Sequence, residues 1–240
     1  MRILWLTASL QHPAVRGSLR HYHFLRELGP RHAVTLVTVA RTPAPAAARI
    51  ELESYARGGL RVFEAPLAGG RIERYRAYRR AVVGMRAAVR DELARERYDV
   101  VLFHGKPAYG AIAGVAGIPV VADFCDATSL RLSTRLASAT AREKPLLLAR
   151  RVRVRRVERA LVRAAAACAF IAPRDRAAVL GPAADAPVLP NGIDCAYWRR
   201  DGRAERAQGC LAFTGVLSYE PNADAALRLV EEVLPPLREL

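Results

Sequence analysis

Short apolar runs alternate along the chain with longer segments of helical periodicity. Several of these runs are continuously apolar rather than alternating, which is typical of strands buried on both faces. Strict alternation of strand and helix favours a parallel sheet covered by helices on both sides. The sequence therefore predicts an α/β fold with a Rossmann-like, doubly wound parallel sheet over residues 1–190. The predicted strands are residues 2–8, 33–40, 60–65, 99–103, 118–124 and 168–172.

The charge is strongly one-sided. The 240 residues carry a net charge of +15, and 52% of them are hydrophobic. Such a balance favours an anionic partner: a polyanion, a phosphorylated ligand or an anionic membrane surface. Of 38 basic residues only Lys106 and Lys144 are lysines, so arginine-rich codon usage with ordinary solvated surface remains the alternative. No helix-turn-helix, zinc finger or set of stacking aromatics is present, and nucleic acid is not expected as a partner.

The four cysteines show no CxxC spacing, which argues against a zinc site or a disulfide framework. They are Cys125, Cys168, Cys195 and Cys210. A reducing cytoplasm fits this usage, and no metal is predicted. No apolar run approaches the ~18 residues of a membrane span.

A predicted helix over residues 145–166 combines an apolar stripe with many arginines. Two interpretations are open. The helix is an ordinary surface helix whose stripe packs on the sheet, or its basic face also binds an anionic membrane. Arg151, Arg155 and Arg159 are expected to share one side of it at i,i+4 spacing.

Ligands of parallel sheets bind at the carboxyl ends of the strands. The loop after the first strand contains a single glycine before a helix, a weak phosphate signal. His104 and Lys106 follow the fourth strand, where a ligand contact and a structural role are about equally expected. Asp123 and Asp126 follow the fifth, and Asp126 either acts on a hydroxyl or caps the next helix. In the first helix, His21 and His23 are expected on different faces, one of them in the interior or at the surface.

One stretch carries a family resemblance. Residues 213–226 read FTGVLSYEPNADAA and follow a turn cluster, LPNGID, at 189–194. Together these segments resemble the junction between the two domains of GT-B glycosyltransferases of family 4. They look most like the sugar transferases of exosortase and exopolysaccharide systems. The resemblance implies retaining, metal-independent transfer of a sugar from a nucleotide-diphosphate donor to a hydroxyl acceptor, with no cofactor.

The resemblance also implies roles for individual residues. The donor diphosphate is expected near Arg16, Gly17, Ser18 and Gly215, although Val15 and Ser18 stand where the family often has acidic residues. Residues 123–129 resemble the family pattern DFxDxDS, with Thr128 in place of the third acid. The catalytic residues implied are Asp126, with Asp123 as its support, and His104. Lys106 and Ser129 are expected on the acceptor side.

The predicted organisation has three parts: an acceptor-side domain (1–190), a linker (191–208) and the start of a donor-nucleotide domain (209–240). Since that last part holds one strand and one helix, the 240-residue chain alone is expected to be inactive. A nucleotide-sugar epimerase of the same architecture, or an inactive binding or membrane-associated protein, are the alternatives. The expected location is cytoplasmic, peripheral on the inner face of the plasma membrane, with a lipid-linked acceptor among the candidates.

Overall fold

A computed structural model describes residues 1–15, 19–199, 202 and 209–238. In this part of the chain, six strands form one sheet in the order β3-β2-β1-β4-β5-β6, and every neighbouring pair is parallel. The predicted Rossmann-like α/β class is confirmed. The strands are β1 (Arg2–Thr7), β2 (Ala33–Ala40), β3 (Gly59–Glu64), β4 (Val100–His104), β5 (Val120–Asp123) and β6 (Ala167–Ala169).

The helices connect the strands and cover both faces of the sheet. After β4, where the small residues of 107–116 predict a helix, the chain forms a 3₁₀ helix, Lys106–Ile112. The first helix begins at Arg20, so Ser18, its predicted N-cap, lies outside the described residues. The helices of this unit are α1 (Arg20–Leu28), α2 (Ala46–Tyr55), α3 (Arg71–Arg95), α4 (Thr128–Ser138), α5 (Lys144–Ala164) and α6 (Pro173–Leu180).

Alternate residues of the central strands enter two separate hydrophobic cores. Leu4 and Leu6 of β1 pack with Met85 and Leu161 on the α3 and α5 side. Ile3 and Trp5 pack on the other side, in the core that α1 and α2 close. Because both faces of β1 are buried, the strand reads as a continuous apolar run rather than an alternating one.

The strand register places the carboxyl ends of β1, β4 and β5 side by side. Thr7 pairs with His104, and His104 pairs with Asp123. The chain winds outward in both directions from β1 and β4, so this edge lies at the topological switch point, where open α/β sheets bind ligands.

The chain separates into two compact units, Met1–Gly192 and Ile193–Leu240. In the second, α7 (Glu220–Arg228) continues through a π-helical turn, Leu229–Val233, into α8 (Leu234–Arg238). The predicted helix after the glycine turn is therefore present. The strand predicted at Phe213 is not: residues 210–214 have no regular structure, because within this unit no neighbouring strand offers a hydrogen-bonding edge to the described segment.

Helix α5 directs its apolar stripe inward, as the surface-helix interpretation predicts. Leu147 and Leu161 are buried, while Arg155 and Arg159 are exposed. Arg151 departs from the expected basic side, because it is only partly exposed and its Nε atom is buried. Among the helices of the described residues, none is long and apolar enough to cross a membrane.

Candidate functional site

A cavity of about 900 Å³ opens at the carboxyl edge of the sheet, above β1 and β4. Its floor includes His104, Lys106 and Asp126, and its wall is formed largely by α3. The wall is rich in arginine, so the cavity is strongly cationic and favours an anionic ligand. The arginines that line it are Arg41, Arg71, Arg74, Arg79, Arg86 and Arg153.

The loop after β4 brings His104 and Lys106 to this cavity. Between them, Gly105 has a φ of 101°, and a Cβ there would lie 2.1 Å from the Cβ of Ala8. Only glycine fits both the conformation and the space. Lys106 Nζ then reaches across to the β5 loop and donates to the carbonyl oxygens of Phe124 (3.0 Å) and Asp126 (2.6 Å). The lysine thus ties the two loops together.

His104 is held as a neutral imidazole. Its Nδ1 donates to the carbonyl oxygen of Asp123 at 3.0 Å. Burial, together with the neighbouring His21, lowers the pKa of His104 to about 3. Nδ1 carries the proton, so Nε2 keeps its lone pair. His104 lines the cavity, and its Nδ1 is already engaged with Asp123, so a ligand hydroxyl would bind to the lone pair of Nε2.

Asp123 is the centre of a buried charge network. Arg20 Nε donates to its Oδ2 at 2.9 Å, and His21 Nε2 donates to the same oxygen at 3.0 Å. Burial alone would raise the pKa of Asp123, but these two hydrogen bonds and the charge of Arg20 hold it well below its usual range. A carboxylate so engaged is a weak base, and its chemical role is to orient its partners.

Sequence reasoning did not find Arg20, and it assigned His21 no function. Both are buried, whereas His23 is exposed, so the two histidines do lie on different faces. The His21 and His104 rings lie 3.7 Å apart between centroids. The position of α1 in the chain could have identified both residues. A helix that follows β1 presents its first turn to the same sheet edge as His104 and Asp123.

Cys125 completes the group. Its φ of 53° makes it the one non-glycine residue with a left-handed backbone in the described part of the chain, a conformation that costs about 1–2 kcal/mol. Its Sγ lies 3.7 Å from His104 Nδ1 and 3.8 Å from Asp123 Oδ2. Burial and the charge of Asp123 raise the pKa of its thiol to about 12. The ligand atoms of His21, His104, Asp123 and Cys125 all lie within 4.8 Å of one another, a grouping able to hold a metal ion.

Asp126 faces the cavity and pairs with Lys106 (3.8 Å) and Arg131 (3.5 Å). The alternative capping role is not observed. Instead Asp175 Oδ1 accepts from the N–H of Ala127 at 2.8 Å, and Glu158 Oε1 accepts from that of Ser129 at 3.2 Å. Buried carboxylates from α6 and α5 therefore accept the hydrogen bonds at the start of α4, and the carboxylate of Asp126 is not used as a helix cap.

Of the remaining predicted site residues, Ser129 and Gly215 are not among those that line the cavity. Ser129, expected on the acceptor side, is a buried residue in the first turn of α4 and does not line the cavity, which its neighbour Thr128 does. Arg16, Gly17 and Ser18 lie outside the described residues. Gly215 lies in the second unit, where a Cβ would come within 2.9 Å of Asn222 Nδ2.

No protein-family model matches the chain, and no curated protein matches its sequence. Solved structures are similar to it, among them the following three. A UDP-glucosyltransferase from Polygonum tinctorium, capable of glucosylating indoxyl, is 15% identical over 80% of this chain and 52% of its own, with a TM-score of 0.48. The glycotransferase of kitacinnamycin is 21% identical over 87% and 55%, with a TM-score of 0.43.

The third is the C-terminal domain of a hydrogenase from Pyrococcus furiosus, 21% identical over 50% of this chain and 89% of its own, with a TM-score of 0.37. The chain spans about half the length of the two glycosyltransferases. Every TM-score is below 0.5, so these likenesses carry no argument about activity.

Proposed function

We propose that Met1–Gly192 is the acceptor-binding domain of a GT-B glycosyltransferase. In the proposed reaction an acceptor hydroxyl loses its proton, its oxygen bonds to the anomeric carbon of a nucleotide-diphosphate sugar, and the nucleoside diphosphate leaves with the bonding electron pair. The observation that carries the proposal is the pairing of a hydroxyl-directed group with an anion-binding wall in one cavity. His104 Nε2 and the Asp126 carboxylate supply the first, and the arginines of α3 supply the second.

Asp126, His104 and Asp123 have different roles in the proposed reaction. Asp126 lines the cavity and its side chain is 41% exposed, so it is the candidate base for the acceptor hydroxyl. His104, neutral and rigidly held, accepts a hydrogen bond from a ligand hydroxyl and orients it. Asp123 does not contact the substrate; its carbonyl oxygen accepts the hydrogen bond that orients His104. Its carboxylate is engaged by Arg20 and His21.

The arginine wall favours an acceptor that carries phosphate or carboxylate groups. A neutral sugar or alcohol would leave these positive charges without a counter-charge inside a concave site, where mutual repulsion is strong. Arginine also binds phosphate oxygens with paired N–H donors. An acceptor linked to a lipid through phosphate fits this wall. Tyr75 and Val83 of α3 line the cavity and are 49% and 65% exposed, offering apolar surface at its rim.

Three finer features belong to the proposal and rest on the family resemblance alone. They are the retaining course, a donor diphosphate bound without a metal near Arg16–Ser18 and Gly215, and a place in exopolysaccharide synthesis on the inner face of the plasma membrane. Since the donor nucleotide would bind a second domain of which 209–240 is the start, we expect transfer only from a protein that carries that whole domain.

The test is a transfer assay with a panel of nucleotide-diphosphate sugars and phosphorylated hydroxyl acceptors, read by mass spectrometry. It uses this chain and any longer product of its gene. Gain of one glycosyl unit by the acceptor, reduced in His104→Asn and Asp126→Asn, is the expected result. Interconversion of the sugar nucleotides with no acceptor product would indicate an epimerase instead. Calorimetry on the chain itself should show acceptor binding, and a chain that binds none of the anionic acceptors would refute the proposal.

A further inference from the structure

Four side chains with metal-binding atoms converge behind the cavity floor. His21 comes from α1, His104 from the end of β4, and Asp123 and Cys125 from the end of β5. Their ligand atoms all lie within 4.8 Å of one another. The sequence hides this set, because positions 21, 104, 123 and 125 share no short spacing. Only the parallel register, which aligns His104 with Asp123, brings them together.

The distances agree with a tetrahedral site. Metal–ligand bonds of ~2.0–2.3 Å imply edges of roughly 3.3–3.7 Å between the ligands. The set has His21 Nε2 to Asp123 Oδ2 at 3.0 Å, and His104 Nδ1 to Cys125 Sγ at 3.7 Å. Cys125 Sγ and His104 Nδ1 lie 3.8 and 4.0 Å from Asp123 Oδ2. These four distances lie within about 0.3 Å of that range, and the ligand atoms of the whole set lie within 4.8 Å of one another, so binding requires the side chains to move closer together.

We infer that these four residues bind a divalent transition metal of the Zn²⁺ type. Two imidazoles, one thiolate and one carboxylate suit zinc, whereas Mg²⁺ and Ca²⁺ prefer oxygen ligands. Surrounding contacts already orient the ligands. Arg20 Nε holds Asp123 Oδ2 at 2.9 Å, and the N–H of Cys125 donates to Asp123 Oδ1 at 3.3 Å. The left-handed backbone of Cys125 is further evidence of a residue held for a purpose other than packing.

Metal binding releases a proton from the site and changes the tautomers of the two histidines. The thiol of Cys125 loses its proton to solvent as sulfur bonds the metal. The proton on His21 Nε2 moves to Nδ1, and the proton on His104 Nδ1 moves to Nε2, because a ligating nitrogen must be unprotonated. One proton leaves per ion bound. The thiolate and the carboxylate together carry two negative charges, which offset the two positive charges of the ion, and Arg20 stays hydrogen-bonded to the carboxylate.

The consequence for the cavity rests on the proposed function. With metal on Nδ1, His104 presents an Nε2–H donor to the cavity in place of the lone pair that accepts the acceptor hydroxyl. The ion therefore turns off acceptor binding rather than assisting transfer. The reaction stays independent of metal, and zinc is its inhibitor.

The experiment titrates Co²⁺ and Zn²⁺ into the chain with Cys195 and Cys210, both exposed, replaced by serine. We expect one ion per chain, intense tetrahedral d–d bands and a sulfur-to-cobalt charge-transfer band. Cys125→Ser should abolish the charge-transfer band, and His104→Asn should weaken binding by at least ~10-fold. His23→Gln, an exposed histidine on the same helix, is the matched control and should bind as the parent does.

A second measurement needs no variant of the cluster. Zinc should protect Cys125 of the parent chain from alkylation, read by peptide mass spectrometry. A charge-transfer band that survives Cys125→Ser, a stoichiometry well below one, or unprotected Cys125 would overturn the inference. These readouts involve no sugar. If zinc binds but no sugar is transferred, the proposed function fails alone; if sugar is transferred and zinc neither binds nor inhibits, only the metal site fails.

Discussion

His21 Nε2 lies 3.0 Å from Asp123 Oδ2 although 102 residues separate them in sequence. The same oxygen accepts from Arg20 Nε, so one carboxylate fixes two consecutive residues of α1 against the end of β5. Arg20 Nη1 also donates to the carbonyl oxygen of Pro190 at 3.3 Å and to Asn191 Oδ1 at 3.2 Å. The contact therefore joins the first turn of α1, the sheet edge and the last residues of the first unit.

Asp123→Asn should be strongly destabilising. It removes the negative charge that pairs with Arg20 at 2.9 Å in a place where the arginine side chain is only 3% exposed. Removing one partner of a buried ion pair typically costs about 3–5 kcal/mol. Urea denaturation should show the loss as a lower midpoint with an unchanged slope. Asp126→Asn is the matched control: its side chain is 41% exposed, and the substitution should change stability by less than about 1 kcal/mol. Equal small losses in both variants would contradict the account of Asp123.

Asp126→Asn should lower the turnover number rather than the stability. In a protein competent for transfer, we expect a loss of about 100-fold or more in turnover with little change in donor affinity, because a positioned base acts on the attacking hydroxyl. Arg131→Gln breaks the 3.5 Å ion pair of Asp126 without touching its carboxylate, and it should keep near-normal rates. If Asp126→Asn retains full turnover, the carboxylate has no part in the chemistry.

The start of α4 should depend on carboxylates from other helices. Glu158→Gln and Asp175→Asn each weaken a charged acceptor that satisfies a buried backbone N–H. Alanine at either position leaves that N–H unpaired, at a cost of about 1–3 kcal/mol. Asp126→Ala should cost much less, since Asp126 accepts neither bond. Thermal denaturation of the three alanine variants decides the order. A larger loss from Asp126→Ala than from the other two would restore the capping role for Asp126.

The sheet was predictable from the sequence because its signal is local. Residues 33–40 were expected as a strand, and β2 spans Ala33–Ala40. The cluster at the sheet edge was not predictable, since its contacts depend on strand order. His21 looked like one of two unassigned histidines, and Cys125 like a cysteine without a partner. Their proximity follows only from β4 pairing with both β1 and β5.

Two local signals also misled. Asp before Ala-Thr-Ser indicates a helix cap. The N–H of Ala127, however, donates to Asp175, which lies 48 residues away in sequence. The FTG segment at 213–215 has the composition of a strand, but a strand forms only beside a partner edge. In both cases the outcome depends on a hydrogen-bonding partner that the local motif does not contain.

Stability should fall below neutral pH because of His104. In the folded chain its pKa of about 3 keeps it neutral, whereas in the unfolded chain it takes up a proton below its ordinary value of 6.5. Since the unfolded state binds more protons between about pH 3 and 6.5, this contribution is fully present above about pH 6.5 and falls as the pH drops through that window. At pH 5 the loss is about 2 kcal/mol. The lowered pKa of Asp123 acts in the same direction, but only near and below its ordinary value of 3.8.

Urea midpoints at pH 7.5 and pH 5 test this. His104→Asn keeps an N–H donor near Asp123 O but has no proton to gain, so its stability should change less between the two pH values. His23→Gln removes an exposed histidine and should behave as the parent chain does. An undiminished pH dependence in His104→Asn would mean that another group carries it.

Helix α5 presents a second stripe, on its solvent side, in the order Leu148, Val152, Arg155, Arg159. Leu148 is 50% exposed and Val152 is 43% exposed, and the spacing of four, three and four residues keeps all four on one face. An apolar half followed by a basic half is the pattern of a helix that lies on an anionic bilayer. Arg151 is unsuited to the test, since its Nε is buried.

Replacing Arg155 and Arg159 with glutamine should therefore weaken binding to vesicles of phosphatidylcholine and phosphatidylglycerol. Each basic side chain near an anionic surface contributes roughly 1 kcal/mol, so the pair should lower partitioning by about 30-fold. The effect should shrink as salt shortens the range of the attraction. Arg31→Gln with Arg57→Gln is the matched control. It removes the same charge from exposed residues just before β2 and β3, at the opposite edge of the sheet from the cavity. If both double variants sediment with vesicles to the same extent as the parent chain, or lose binding equally, α5 has no specific role at the membrane.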